Sequence, residues 1–308
     1  MTATPSGRLH PSVQFLILVS LIIGVVLVGN VIALALVTAL YGLEMVMGIA
    51  QLDFSKPGAA GALWVLQIVG TTLPLLITPL LFAKVIVKQT DEYLKPSFKF
   101  PWQLLLLVFC VMLVSSPLIE FLGAINKRMV LPEYLKAVQD WMRESEDKAQ
   151  QLLGILLKMD SIWSVIVNVL AIGLLTAIVE ELTFRGCLQT IFFKWFGNVH
   201  VAVWVTGILF SAFHLEFFGF LPRLLLGVLF GYFTAWSGSV WPAIWAHFLN
   251  NGTAVVAYYL YQRKVIKVDP NANQIFQNST YVYVFSFIIV LFLLYVYHYV
   301  AKKRSTAP

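Results

Sequence analysis

The chain has 308 residues, of which 59% are hydrophobic and only 12% carry a charged side chain. Soluble domains contain about a quarter charged residues, so this composition excludes an ordinary soluble protein and indicates a polytopic membrane protein. The net charge of +6 is explained by loop lysines and arginines beside anionic headgroups, since no basic cluster interleaved with aromatic residues predicts nucleic-acid binding.

Hydropathy predicts eight membrane-spanning helices, because a span needs about 20 mostly apolar residues. They occupy nearly the whole chain and leave no room for a separate soluble domain. We therefore predict an all-α fold, a polytopic membrane helix bundle with about eight transmembrane helices that forms a single integral-membrane domain over residues 1–308. The predicted spans are about 12–42, 61–88, 102–124, 161–195, 199–217, 220–236, 240–262 and 280–301.

An even number of spans places both termini on the same side of the membrane. Basic residues in the second connection and near the C-terminus favour the cytoplasm for that side, whereas the third connection holds six basic residues of its own. The positive-inside rule therefore leaves the orientation open.

The segment between the third and fourth spans, residues 133–159, has a different pattern. Its apolar residues, among them Leu135, Val138, Trp141 and Leu152, recur largely at helical spacings among charged residues. This pattern predicts an amphipathic helix that lies on the membrane surface or caps the bundle.

The fourth span contains charges where lipid-compatible sequence is expected. Nineteen uncharged residues, 161–179, lead into the charged end of the stretch VEELTFRG, residues 179–186. Each charge deep in a bilayer costs roughly 2.5–3.5 kcal/mol. Glu181 and Arg185 are four residues apart on one helix face and can neutralise each other. Glu180 is turned about 100° away. It therefore remains as a candidate general base, with a structural network around the arginine as the alternative.

Two histidines follow on later spans. In FSAFH, residues 210–214, His214 lies on the fifth span, and in HFLNN, residues 247–251, His247 and Asn251 share one face of the seventh. Glu180 precedes the turn near Gly197 by 17 residues and His214 follows it by 17. At about 1.5 Å rise per residue, His247 falls within roughly 10 Å of the same depth. The polar faces of three helices are therefore expected to meet in one cavity.

These stretches resemble a known family. EELTFR is similar to the EExxxR motif, FSAFH to FxxxH and HFLNN to HxxxN of the CPBP family, the CAAX prenyl endopeptidases and bacteriocin-processing enzymes, which are glutamic intramembrane proteases. The resemblance covers a motif-bearing core over residues 160–260. It implies that Glu180 activates water with help from His214, that His247 and Asn251 stabilise the oxyanion, and that Glu181 with Arg185 maintains the site.

The resemblance also implies partners and a location. The substrate is expected to be a peptide or a segment of a membrane protein, in contact with the lipid bilayer and without a cofactor. The protein is expected to be a multi-pass integral membrane protein, in the plasma or inner membrane if the host is bacterial. The first 150 residues carry no matching motif, so the choice of substrate is not implied.

Other hydrolytic sites are less well supported by the residues. A glutamate and two histidines could bind zinc, yet the HExxH spacing of zinc proteases is missing. Ser211, three residues before His214, is a possible nucleophile, but a serine so placed more often bonds to its own helix backbone. Cys187 has no cation beyond the paired Arg185 to lower its thiol pKa.

An alternative from another class is a membrane protein without peptidase activity. It could be a scaffold, an immunity-type protein, or a transporter that uses Glu180, His214 and Arg223 as a proton or ion path.

Overall fold

The computed structural model describes residues 9–270 and 280–305, and its regular structure over these residues is helical. We number the helices in chain order. They are α1 (Pro11–Tyr41), α2 (Leu43–Ala50), α3 (Ala59–Ile86), α4 (Thr90–Leu94), α5 (Gln103–Lys127), α6 (Lys136–Leu156), α7 (Ile162–Phe196), α8 (Val199–Phe213), α9 (Phe220–Ser237), α10 (Trp241–Gln262) and α11 (Thr280–Ser305).

Six of the helical segments in the described residues are long and apolar enough to cross a membrane: α1, α3, α5, α7, α11 and the segment Phe217–Ser237 that contains α9. Each of the eight predicted spans coincides with a helix, so the prediction of an all-α membrane bundle is confirmed and the number eight is approximate. The helix α8 has only 15 residues, a length of about 22 Å. Since a hydrocarbon core is about 30 Å thick, α8 is too short to cross alone.

Two of the spanning helices contain π-helical turns, in which the backbone bonds join residues five apart. In α3 these turns are Leu66–Thr72 and Phe82–Ile86. In α7 they are Val169–Leu175 and Leu182–Leu188. The two turns in α7 bracket Glu180 and Glu181, which lie on the short α-helical stretch between them.

The two largest buried apolar clusters are formed by different helices. One joins α5, α9, α10 and α11 through residues such as Leu104, Phe230 and Tyr297. The other joins α1, α3, α7 and α8 through residues such as Leu18 and Ile191. Arg185 of α7 contacts the first cluster through Phe230, with its guanidinium 5.3 Å from the ring centre.

Close helix contacts at glycines bring the polar faces together. A Cβ on Gly173 of α7 would lie 3.3 Å from the Cα of Gly252 on α10. A Cβ on Gly227 of α9 would lie 3.0 Å from the Cα of Gly207 on α8. Larger residues at these positions would push α10 away from α7 and α9 away from α8.

The segment predicted as an amphipathic helix contains α6. Acidic and basic residues are frequent along it, and none of its residues is buried. It packs against the start of α3 and against the short 3₁₀ turn Phe217–Gly219, which precedes α9. The helix therefore covers the end of the bundle where α8 stops.

Candidate active site

Glu181 is fully buried on α7 and binds two partners through one oxygen. Its Oε1 accepts a hydrogen bond from Nη1 of Arg185 at 2.9 Å and lies 2.8 Å from Nδ1 of His247 on α10. Arg185 is also fully buried. The carboxylate therefore compensates the arginine and orients the histidine at the same time.

Other contacts of Arg185 come from α8 and α9. Its Nη2 donates to the carbonyl of Gly227 at 3.1 Å. Its guanidinium lies 4.2 Å from the ring centre of Phe210 and 5.3 Å from that of Phe230. Aromatic faces and a backbone carbonyl replace the water that a buried cation loses.

Glu180 lies near the Nε2 atoms of both histidines. Its Oε2 lies 3.8 Å from Nε2 of His214 and 3.9 Å from Nε2 of His247. Both distances exceed a hydrogen bond, so neither histidine is bonded directly to Glu180. The Oε2 atom is buried without a protein partner within hydrogen-bond distance.

Hydrogen bonds at Nδ1 orient both imidazoles. Nδ1 of His214 lies 2.8 Å from the carbonyl oxygen of Phe210, so it donates its proton there. Nδ1 of His247 donates to Glu181, and the ring of His247 stacks on Phe230 with centroids 5.2 Å apart. With Nδ1 protonated in both rings, the two Nε2 atoms are directed at Glu180.

Asn251 lies one helical turn beyond His247 and is half-buried. Its amide donates to the carbonyl of Ile172 on α7 at 3.4 Å, and its Oδ1 accepts from the amide of Asn250 at 3.0 Å. These bonds hold Asn251 against the helix that carries Glu180.

Glu180 also forms part of the wall of a cavity of about 400 Å³. The other lining residues are mainly apolar and come from α1, α3, α7 and α8, including Phe15, Ile22, Leu75 and Phe213. A carboxylate therefore borders a space suited to apolar groups.

The structure brings Glu180, Glu181, Arg185, His214 and His247 together. Asn251 lies one turn further along α10, where its hydrogen bonds are to Ile172 and Asn250. The pair formed by Glu181 and Arg185 follows from their spacing in the sequence. The bond between Glu181 and His247 was missed by sequence reasoning, because it joins residues 66 positions apart and no local pattern records it.

The residues named for the competing sites are committed to other partners. Ser211 donates to the carbonyl of Phe220 at 2.7 Å. Cys187 is buried with its sulfur 3.9 Å from the carbonyl of Pro79. Arg223 pairs with Glu216, so it faces a different carboxylate from the one that a shared ion path would need.

Comparison with protein families adds an independent observation. Residues 162–253 match the family model of the Rce1-like type II CAAX prenyl endopeptidases. The match confirms the resemblance drawn from the three motifs and contains all six of the predicted site residues, Glu180, Glu181, Arg185, His214, His247 and Asn251. Comparison with curated proteins and with solved structures gave no match. The Rce1-like family is a protease family, and the match covers 92 of the 308 residues of this integral membrane protein.

Proposed function

We propose that the chain is an intramembrane endopeptidase in which Glu180 activates a water molecule to attack a peptide carbonyl. The observation that supports this most directly is the position of the Glu180 carboxylate, 3.8–3.9 Å from two histidine Nε2 atoms. Arg185 is compensated by Glu181, so Glu180 is available to accept a proton. The motif-bearing core, residues 160–260, supplies this chemistry within the single domain.

The reaction begins with water held between Glu180 and His214. Glu180 takes a proton from the water while the water oxygen bonds to the carbonyl carbon. The carbonyl oxygen becomes an oxyanion. When the C–N bond breaks, the proton passes from Glu180 to the leaving nitrogen.

The oxyanion needs donors in a dry site. In the proposed reaction these are the Asn251 amide and Nε2–H of His247. Because Nδ1 of His247 is bonded to Glu181, Nε2 donates only when the ring is doubly protonated.

The substrate is a peptide or a membrane-protein segment with apolar groups near the scissile bond. This follows from the apolar cavity in which Glu180 forms part of the wall. Its lining includes α1 and α8, so a substrate can approach from the lipid side.

The first test replaces Glu180 with glutamine. Glu180→Gln should preserve folding and abundance but abolish turnover, because an amide cannot serve as the base. Purified protein in detergent is assayed against a peptide library, with thermal stability measured in parallel. Glu44→Gln is the matched control, because Glu44 forms an exposed pair with Lys56 far along the chain from the site. Wild-type turnover in Glu180→Gln would exclude Glu180 as the base.

The second test concerns metal. No group of three or more His, Cys, Asp or Glu side chains among residues 9–270 and 280–305 has the arrangement of a metal site. We predict that hydrolysis proceeds without a bound transition metal. The measurement is metal content by elemental analysis together with activity after chelation. Stoichiometric zinc, with activity lost on chelation and restored by zinc, would contradict this prediction.

A further inference from the structure

The turn that follows His214 has an unusual backbone. His214 is the last residue capping α8, and Leu215 directly after it has φ +54°, a left-handed conformation that few residues other than glycine adopt. Leu215 begins the non-helical connection between α8 and α9. The polar backbone atoms of such a connection need partners outside a helix.

One set of these partners comes from α5. Asn126 is buried, its amide donates to the carbonyl of Phe217 at 2.9 Å and its Oδ1 accepts from the backbone N–H of Leu221 at 2.6 Å. A single side chain therefore fixes the turn Phe217–Gly219 at both ends.

The other set comes from α6. Oε1 of Glu146 accepts from the backbone N–H of Phe218 at 3.0 Å. The guanidinium of Arg143 lies 4.2 Å from the ring centre of Phe218, and the ring of Trp141 lies 5.8 Å from that of Phe217. These three side chains all come from α6 and contact the same two residues of the turn.

The carboxylate of Glu216 is paired with Arg223. The backbone N–H of Phe218 donates to Glu146. Loss of its carboxylate would leave that N–H without the side-chain acceptor on which its position depends.

We propose that Glu146 is a positioning residue for the reaction: it holds the turn Phe217–Gly219 and thereby sets His214 against Glu180. This inference rests on the proposed function, and it extends the machinery to α6, which lies outside the residues matched by the family model. The surface helix then contributes to the chemistry through the backbone of a turn, without contact with the substrate.

The kinetic test compares Glu146→Met, which removes the acceptor with little change in volume, with Glu146→Gln, which retains a carbonyl acceptor. A displacement of about 1 Å can cost about 10²-fold in rate, so Glu146→Met should lower kcat by about 10–100-fold with little change in KM. Glu146→Gln should recover most of the loss. Glu144→Ala is the matched control, because Glu144 lies on the same helix and pairs with Lys148 at the surface.

A structural readout keeps the test independent of activity. The chain has only five histidines, so their imidazole NMR signals can be assigned in the full-length protein in micelles, with His214→Gln identifying that of His214. Glu146→Met should shift or broaden the His214 signal and spare that of His298, while Glu146→Gln and Glu144→Ala leave both unchanged.

An unchanged His214 signal in Glu146→Met would overturn the inference, whatever happens to the rate. Should Glu146→Met not fold, Glu146→Ala is measured in its place by the same signal. Absence of peptidase activity in the wild-type protein would instead count against the proposed function, and the NMR comparison would still decide the role of Glu146.

Discussion

At the scale of single residues, one carboxylate oxygen of the site contacts both a buried cation and a histidine ring. Oε1 of Glu181 serves both Arg185 and His247, and all three side chains are buried. A substitution that removes the Glu181 carboxylate therefore affects both the charge of Arg185 and the orientation of the His247 ring.

We predict that Glu181→Ala lowers stability and activity together. The change leaves Arg185 as an unpaired buried charge, which costs about 3–5 kcal/mol when a buried pair is broken. It also frees the ring of His247. The measurement is thermal unfolding and cleavage rate for the purified variant beside Glu180→Gln. A variant that loses turnover but unfolds at the wild-type temperature would show that Glu181 is not needed to compensate Arg185.

Much of this site was predictable residue by residue. The pairing of Glu181 with Arg185 follows from a spacing of four, and the depth of Glu180 relative to His214 follows from counting residues to the turn. Two features were not predictable. The bond from Glu181 to His247 depends on how α10 rotates against α7, and the hydrogen bond from Asn251 to Ile172 depends on the close approach of Gly173 and Gly252.

At the scale of elements, the connection between α3 and α5 is tied to α7. It contains α4, whose residue Tyr93 places its carbonyl so close to Gly186 that a Cβ there would lie 2.6 Å away. The residue capping α4, Lys95, donates from its Nζ to the hydroxyl of Thr190 on α7. Burial lowers the pKa of Lys95 to about 8.

The lowered pKa of Lys95 determines whether stability rises or falls with pH. Between about pH 8 and the ordinary lysine value of 10.5, Lys95 is neutral in the folded protein but still binds a proton in the unfolded chain. Its contribution to stability therefore rises with pH across that window and is unfavourable below it.

We predict that Lys95→Met stabilises the protein at pH 7 by on the order of 1–3 kcal/mol and removes this part of the pH dependence. The check is thermal unfolding of both proteins at pH 7 and pH 10. The difference in melting temperature should shrink at the higher pH. A constant difference would mean that Lys95 does not titrate in this window.

The elements themselves were predicted more fully than their internal geometry. Each apolar segment gave a helix, because length and hydropathy determine what a bilayer accepts. The short length of α8 and the π-helical turns of α3 and α7 were not predicted, because both depend on packing against neighbouring helices.

At the scale of the whole molecule, the order of the helices determines which connections share a side of the membrane. The connection between α3 and α5 and the end of α11 belong to one side, and the segments after α5 and after α10 belong to the other. This holds whether the hairpin of α8 and α9 crosses fully or partly, because the chain returns to the side from which α8 began.

We predict that cysteines at positions 88 and 302 are labelled from one side of the membrane and cysteines at positions 130 and 267 from the other. The native Cys110 and Cys187 are first replaced by alanine. A membrane-impermeant maleimide is added to intact and to opened vesicles. Labelling of positions 88 and 130 from the same side would contradict this arrangement.

The π-helical turns around Glu180 and Glu181 also make the site sensitive to a kind of mutation other than substitution. Each such turn contains one residue more than an α-helical turn would need. Loss of one residue from Val169–Leu175 would rotate both carboxylates by about 100° relative to the preceding helix. Loss of one residue from Leu182–Leu188 would instead leave the carboxylates in place and rotate everything up to Phe196. A deletion before the two glutamates and a deletion after them would therefore reorient different side chains of α7.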